Sequence, residues 1–195
     1  MTCVVFFDVL PKNGFADAYF SLASGLKKTL EKILGFRSVV RFENQDNPGW
    51  FLSFSEWDSE DSLSNWRCQQ DHRQAQICGR NLIFDDYRIR VGSLALENHE
   101  PFNFSNKNYI ISITGAFTDM QLAIDQIKKF ANTKARLFRG VVNPRTGIAL
   151  IYADQITALK YKIMSEYQIP GSISVFEINR DYGMFNRSQA PNFYT

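Results

Sequence analysis

Phe36-Arg37-Ser38-Val39-Val40 recurs later in the chain as Phe138-Arg139-Gly140-Val141-Val142. Each copy is followed by a polar turn that ends in glycine and by a second β-rich run. The runs are Gly49-Trp50-Phe51-Leu52-Ser53-Phe54 and Gly147-Ile148-Ala149-Leu150-Ile151-Tyr152. A repeated hairpin of this kind is the first sign of an internally duplicated fold. The chain is therefore predicted to hold two copies of one small unit.

The segments around the first hairpin complete a β-α-β-β-α-β pattern. Residues 3–10 are rich in β-branched and aromatic side chains and end at a proline, which is typical of a strand. An apolar stripe with steps of three and four residues predicts a helix over 15–33. A second helical segment over 60–77, which continues or restarts after Cys68, and a strand over 86–96 follow the hairpin strands at 36–42 and 50–57.

The second half repeats this order. Strands are predicted at 109–113, 136–142, 148–152 and 172–179, with helices over 119–130 and 156–167. The predicted domains are 1–97 and 107–180, joined by a polar linker at 98–106 and followed by an irregular tail at 181–195. A βαββαβ unit is ferredoxin-like, with both helices on one face of its sheet. The predicted class is α+β, with two such units packed sheet to sheet within the chain.

Composition narrows the classes of partner. The formal net charge is only +2 and no Lys/Arg-rich block occurs, so we expect no nucleic-acid partner. Three cysteines without a CxxC spacing argue against a disulfide framework. No apolar run approaches the length of a membrane span, and a strand-like run begins at once without a basic leader. We therefore expect a cytoplasmic protein without membrane partners.

A set of residues between the third and fourth strands carries a family resemblance. In order they are Trp57, Trp66-Arg67, Asp71-His72-Arg73, Gly79-Arg80 and Tyr87. Over about residues 3–96 this pattern resembles the antibiotic biosynthesis monooxygenase family. The resemblance implies a dimeric α+β barrel, formed here within one chain. It also implies oxidation of electron-rich phenols by O2 without metal or flavin. The second half lacks the motif and resembles a degenerate copy.

Cofactor-free oxidation needs a base, an anion holder and an apolar pocket. His72 has a suitable intrinsic pKa for the base, and Asp8 in an apolar strand is a second candidate. Arg37 or Arg73 could hold the oxyanion. Trp57 could stack on a flat ring. Trp66, Phe6 and Tyr87 complete the candidate substrate-binding set, which suits a chain that contains seventeen Phe.

Ordinary structural roles compete with each of these assignments. Trp57 and Trp66 can be core anchors that seat a helix on the sheet. His72 can face solvent, and Asp8 can face water near a strand end. Arg88 and Arg90 alternate with apolar residues and are predicted to form the outward face of the fourth strand.

Metal and heme sites are not expected. Cys68 and His72 lie four residues apart and would share a helix face, but a metal site needs three or four ligands. His99 is the only other histidine. The heme-opening branch of the resembled family uses an asparagine in its first strand, where this chain has Val4-Val5-Phe6-Phe7-Asp8. No cofactor is therefore predicted.

Two functions remain open at this point. The first is a cofactor-independent monooxygenase that oxidises an aromatic or quinol-like small molecule with O2. It predicts a cavity between the first sheet and its helices, with His72 or Asp8 pointing in. The second is a non-catalytic ligand-binding or structural protein of the same fold. The sequence leaves open whether two-domain chains pair further as a homodimer.

Overall fold

The computed structural model describes residues 2–95, 108–130, 134–153 and 171–191. The first half has the predicted β-α-β-β-α-β order. Its strands are β1 (Cys3–Pro11), β2 (Phe36–Asn44), β3 (Phe51–Trp57) and β4 (Phe84–Leu94). Its helices are α1 (Ala16–Gly25), α2 (Lys27–Leu30), α3 (Glu60–Cys68) and α4 (Gln70–Cys78), and a π-helical turn, Gly79–Ile83, leads into β4.

The second half continues the pattern. It contains β5 (Tyr109–Ala116), α5 (Phe117–Phe130), β6 (Lys134–Gly140), β7 (Thr146–Ala153) and β8 (Ser172–Gly183). The predicted helix over 156–167 and the predicted linker at 98–106 lie outside the described residues. β8 continues past residue 179, where the sequence predicted its end, and so includes Asp181 and Tyr182.

Both predicted helices of the first half are broken in two. Gly25, a weak helix former, ends α1, and α2 restarts two residues later. Gln69 separates α3 from α4 because its backbone is extended, with ψ 135°. Its side chain then caps α4 by accepting a hydrogen bond from the His72 amide. This break sets the direction in which His72 leaves the helix.

The chain divides into two compact units that interleave along the sequence. Unit 1 comprises Met1–Val40, Gly49–Val91 and Asn179–Thr195, and unit 2 comprises Arg41–Pro48 and Gly92–Ile178. The strand order is β4-β1-β3-β2 in the first half and β8-β5-β7-β6 in the second. This is the ferredoxin-like order of fourth, first, third and second strand. The predicted α+β class with two ferredoxin-like units is confirmed.

Unit 1 packs its helices on one face of its sheet. Alternate β1 residues point to that face, where Cys3 and Val5 join Trp57 and Trp66 in one apolar cluster. Phe7 and Val9 join a second cluster, with Tyr19, Phe84 and Tyr87 among its members. The side chains that alternate with these, Val4, Phe6 and Asp8, therefore point to the opposite face of the sheet.

Unit 2 is built in the same way around aliphatic side chains. Ile111 and Ile113 of β5 pack with Met120 and Ile124 of α5 and with Leu137 of β6. Among the described residues, no helix is long and apolar enough to cross a membrane.

Candidate active site

A buried ion pair marks the face of the unit 1 sheet that lies opposite the helices. Asp8 of β1 and Arg90 of β4 are 1% and 4% exposed. Nη1 of Arg90 donates to Oδ2 of Asp8 over 2.6 Å. Burying two charges is costly, and a close hydrogen-bonded geometry offsets much of that cost. The pair is therefore the most demanding polar feature of this face.

The pair belongs to a longer chain of charges that reaches β8. Nε of Arg90 lies 3.5 Å from Oδ2 of Asp181. Asp181 in turn accepts two hydrogen bonds from Arg88, from Nε and from Nη2, each over 2.6 Å. Such a two-pronged contact fixes the plane of both groups. The four side chains together carry two negative and two positive charges.

Buried apolar side chains lie on the same face of the sheet as the ion pair. In the β1–β3 ladder Phe6 lies opposite Phe54 and Asp8 lies opposite Leu52. The Phe6 and Phe54 rings stack with centroids 5.0 Å apart, and Phe6 and Leu52 are completely buried. A carboxylate and a guanidinium in such surroundings interact more strongly than they would in water.

Arg90 was not among the site residues predicted from the sequence. The alternation with apolar residues predicted an outward strand face for Arg88 and Arg90, and for Arg90 this was wrong, because the side chain is almost completely buried. Arg88 remains half exposed at the side-chain level. The available signal was Asp8, since a carboxylate in an apolar strand requires a cation and arginine is the usual choice.

His72 lies on the helix side of the sheet. Its ring stacks on Trp66, with centroids 4.1 Å apart and planes 13° from parallel. Nδ1 lies 2.9 Å from the carbonyl oxygen of Trp66. Because that oxygen can only accept, Nδ1 carries the proton and Nε2 keeps the lone pair. Burial lowers the pKa of His72 to about 4, so the ring is neutral near pH 7.

Trp57 and Trp66 are packed within the apolar cluster between the sheet and the helices. Trp57 is 1% exposed, and its indole N–H donates to Oγ of Ser55 over 3.0 Å. Its ring meets Phe36 edge to face at 5.2 Å. The structural role considered for these tryptophans therefore has direct contacts to support it.

The remaining sequence candidates are dispersed over unit 1. Arg37 is exposed and pairs with Asp58. Arg73 lies half-buried on α4. Tyr87 packs on the helix side, where its hydroxyl accepts a hydrogen bond from Arg187 over 2.7 Å.

The structure thus separates the predicted site residues into two groups. His72, Trp57 and Trp66 lie on the helix side, whereas Asp8 and Phe6 lie on the opposite face with Arg90. Asp8 does not point between the sheet and the helices, and it does not share a site with His72. In the described ranges no three His, Cys, Asp or Glu side chains converge as metal ligands would.

Comparisons with known proteins show which family the first part of the chain is similar to. Residues 2–76 match the sequence model of the antibiotic biosynthesis monooxygenase family. A protein from Pyricularia oryzae named jasmonate monooxygenase is 29% identical, with 97% of each chain covered. The uncharacterised protein YqjZ of Bacillus subtilis is 32% identical over 31% of this chain and 51% of its own length. The predicted family resemblance is confirmed, and these matches support a monooxygenase.

Solved structures with a similar chain path include an anthrone oxidase-like protein. It is 12% identical, covers 98% of this chain and 97% of its own, and has a TM-score of 0.39. A conserved protein from Methanosarcina mazei is 15% identical, covers 47% of this chain and 90% of its own, and has a TM-score of 0.43.

Proposed function

Because residues 2–76 are an antibiotic biosynthesis monooxygenase domain, we propose that the protein is a cofactor-independent monooxygenase of a small aromatic or quinol-like molecule, with O2 as oxidant. The observation that carries the proposal is the Asp8–Arg90 pair, which is buried on the sheet face that also carries the stacked Phe6 and Phe54 rings. It provides a carboxylate base and a fixed cation beside an apolar aromatic surface.

The proposed reaction needs no external reductant. A carbon acid such as an anthrone-type methylene loses a proton, and the resulting anion gives one electron to O2. The two radicals combine into a C–O bond, and the hydroperoxide then loses water to leave a carbonyl group. The methylene is oxidised by four electrons and O2 is reduced by four. One oxygen atom enters the product and the other leaves as water.

Asp8 and Arg90 suit the first step electrostatically. Asp8 takes the proton, and the oxyanion of the substrate then replaces the carboxylate as the partner of the Arg90 guanidinium. One negative charge moves by a few ångströms within the site and the net charge does not change. A charge-conserving transfer avoids the large penalty of creating a new charge in an apolar region.

The same charge balance favours a substrate that enters uncharged. Asp8 and Asp181 already match the charges of Arg90 and Arg88, so a substrate carboxylate would find no spare cation among these four groups. The relative named for jasmonate is the reason to test a carboxylate as well. The alternative to an enzyme is a protein that binds such a ligand without converting it.

The test measures oxygen uptake with anthrone-type phenols, hydroquinones, jasmonate and hemin, and uses 18O2 to trace the product oxygen by mass spectrometry. We expect uptake with a neutral phenol and one labelled atom in the product. Asp8→Asn should lower kcat about 100- to 10,000-fold, as loss of a general base does. Ser112→Ala is the matched control because Ser112 is the corresponding buried residue of β5.

Each variant separates the proposal from an alternative. Full activity of Asp8→Asn together with loss in His72→Ala or Trp57→Phe would move the reaction to the helix side of the sheet. No uptake with any substrate, accompanied by tight binding of one of them, would establish the ligand-binding alternative and refute catalysis.

A further inference from the structure

Asp181 reaches the Asp8–Arg90 pair from a distant part of the sequence. β8 begins with residues of unit 2 and ends, from Asn179 onward, with residues of unit 1. The Asp181 side chain is 19% exposed, whereas the Asp8 side chain is 2% exposed. β8 thus supplies a second carboxylate to the charged face of the unit 1 sheet.

The two carboxylates contact different nitrogens of one guanidinium. Nη1 of Arg90 is held by Asp8 at 2.6 Å, and Nε lies 3.5 Å from Asp181. Contacts at two nitrogens of a guanidinium restrict the rotation of its plane about the last side-chain torsion. Asp181 therefore limits the orientations in which Arg90 can face Asp8 or an anion that replaces it.

The position of Asp181 is itself fixed from both sides. Its carboxylate accepts two hydrogen bonds from Arg88, and its backbone N–H donates to Oε1 of Gln189 over 2.7 Å. Three residues further on, the Met184 amide donates to the carbonyl oxygen of Tyr87 over 3.0 Å. A carboxylate tied at its head and its backbone can orient a neighbour with little entropic cost.

We propose that Asp181 is a positioning residue for the reaction, and that it acts through Arg90 by holding its guanidinium plane toward Asp8. This role rests on the proposed function, because it assigns Arg90 to the oxyanion. It predicts that the first half of the chain is an incomplete catalyst without the end of β8. Asp181 itself does not touch the substrate.

The experiment compares Asp181→Asn and Asp181→Glu with a control that breaks the ion pair of the neighbouring β8 residue, Arg180. Glu60→Gln is that control, because it removes the ion-pair partner of Arg180 on β8 and leaves the Asp8–Arg90–Asp181 contacts intact. The first readout is the Nε–H signal of Arg90 in 1H–15N NMR spectra, assigned by its loss in Arg90→Lys. The second is kcat and KM with the substrate found in the oxygen-uptake test.

In Asp181→Asn we expect the Arg90 Nε–H signal to move and its hydrogen exchange to accelerate, while Glu60→Gln leaves both unchanged. The value of kcat should fall about tenfold to a hundredfold, the cost of a small misplacement of a reacting group, with KM within about twofold. Asp181→Glu, which retains the charge, should recover part of kcat and should fold if Asp181→Asn does not.

An unchanged Arg90 signal in Asp181→Asn would overturn the positioning role. So would a loss of kcat of the same size in Glu60→Gln, since that would make the effect a general one of β8. The NMR comparison does not depend on turnover. If the wild-type protein is inactive but the Arg90 signal moves in Asp181→Asn, the proposed function is refuted and the Asp181–Arg90 contact is established.

Discussion

The two units place different side chains at equivalent positions of equivalent strand pairs. In unit 1 Asp8 of β1 lies opposite Leu52 of β3, and in unit 2 Ser112 of β5 lies opposite Leu150 of β7. Two residues earlier in the first strand, Phe6 corresponds to Ile110. All four of these first-strand residues are buried. The backbone register is thus shared, but the buried carboxylate is confined to the first unit.

This difference separates what the duplicated fold requires from what a site requires. A neutral serine and an aliphatic side chain at the same positions are sufficient to build the second unit, so the ferredoxin-like ladder does not need a charge there. Asp8 instead requires Arg90, and both must be desolvated. A feature that costs stability and that the homologous position omits is better explained by function than by folding.

The largest expected effect comes from removing the cation of unit 1. Arg90→Leu leaves Asp8 buried without its 2.6 Å partner, and we expect the free energy of unfolding to fall by about 3–5 kcal/mol. Urea unfolding followed by tryptophan fluorescence reports this directly, because Trp50, Trp57 and Trp66 all belong to unit 1.

Two further variants show whether burial is the cause. Arg37→Leu breaks the exposed Arg37–Asp58 pair, whose side chains are 49% and 57% exposed, and should cost only about 0–1 kcal/mol. The double variant Asp8→Leu/Arg90→Leu removes both charges and should recover most of the loss. If Arg37→Leu costs as much as Arg90→Leu, burial does not distinguish the two pairs.

A somewhat smaller effect is expected when the charge is introduced into unit 2. Ser112→Asp places a carboxylate at a position that is 2% exposed, beside Leu150 and, on β8, Ser174. We expect about 2–4 kcal/mol of destabilisation from an uncompensated buried charge. Thermal melting monitored by far-UV circular dichroism gives the measurement.

Ser112→Asn, of nearly the same size but neutral, is the control for that substitution and should cost about 1–2 kcal/mol. Equal stability of the Ser112→Asp variant and the wild type would show that unit 2 can solvate a carboxylate at this position. The contrast between the two units would then be one of sequence only.

The sequence was sufficient to predict the fold because the required information is local. The repeated hairpin and the alternation of Tyr87, Ile89 and Val91 with Arg88 and Arg90 depend on neighbouring residues. They specify which side chains share a face. They do not specify what covers that face, which is why Arg90 was predicted to be outward although it is buried.

The candidate site depended on contacts that local patterns do not contain. Arg90 lies 82 residues from Asp8 along the chain, and Asp181 lies 93 residues from Arg88. The direction of His72 depended on one extended residue, Gln69, which divides a predicted helix. With that break, the stacking of His72 on Trp66 and the burial that lowers its pKa followed from packing rather than from residue type.

The smallest expected effect is a pH dependence of unit 1 that originates at His72. Burial lowers its pKa from 6.5 to about 4, so below pH 6.5 the unfolded chain binds a proton that the folded protein does not. The free energy of unfolding should therefore fall as the pH decreases from about 6.5 to 4. We expect a loss on the order of 2 kcal/mol. This is less than the full pKa shift would give, because the His72 side chain is only partly buried. Urea midpoints by tryptophan fluorescence at pH 7, 5.5 and 4.5 measure it.

His72→Gln should flatten this slope of stability against pH, and His99→Gln should retain it. An unchanged slope in His72→Gln would assign the pH dependence to the carboxylates.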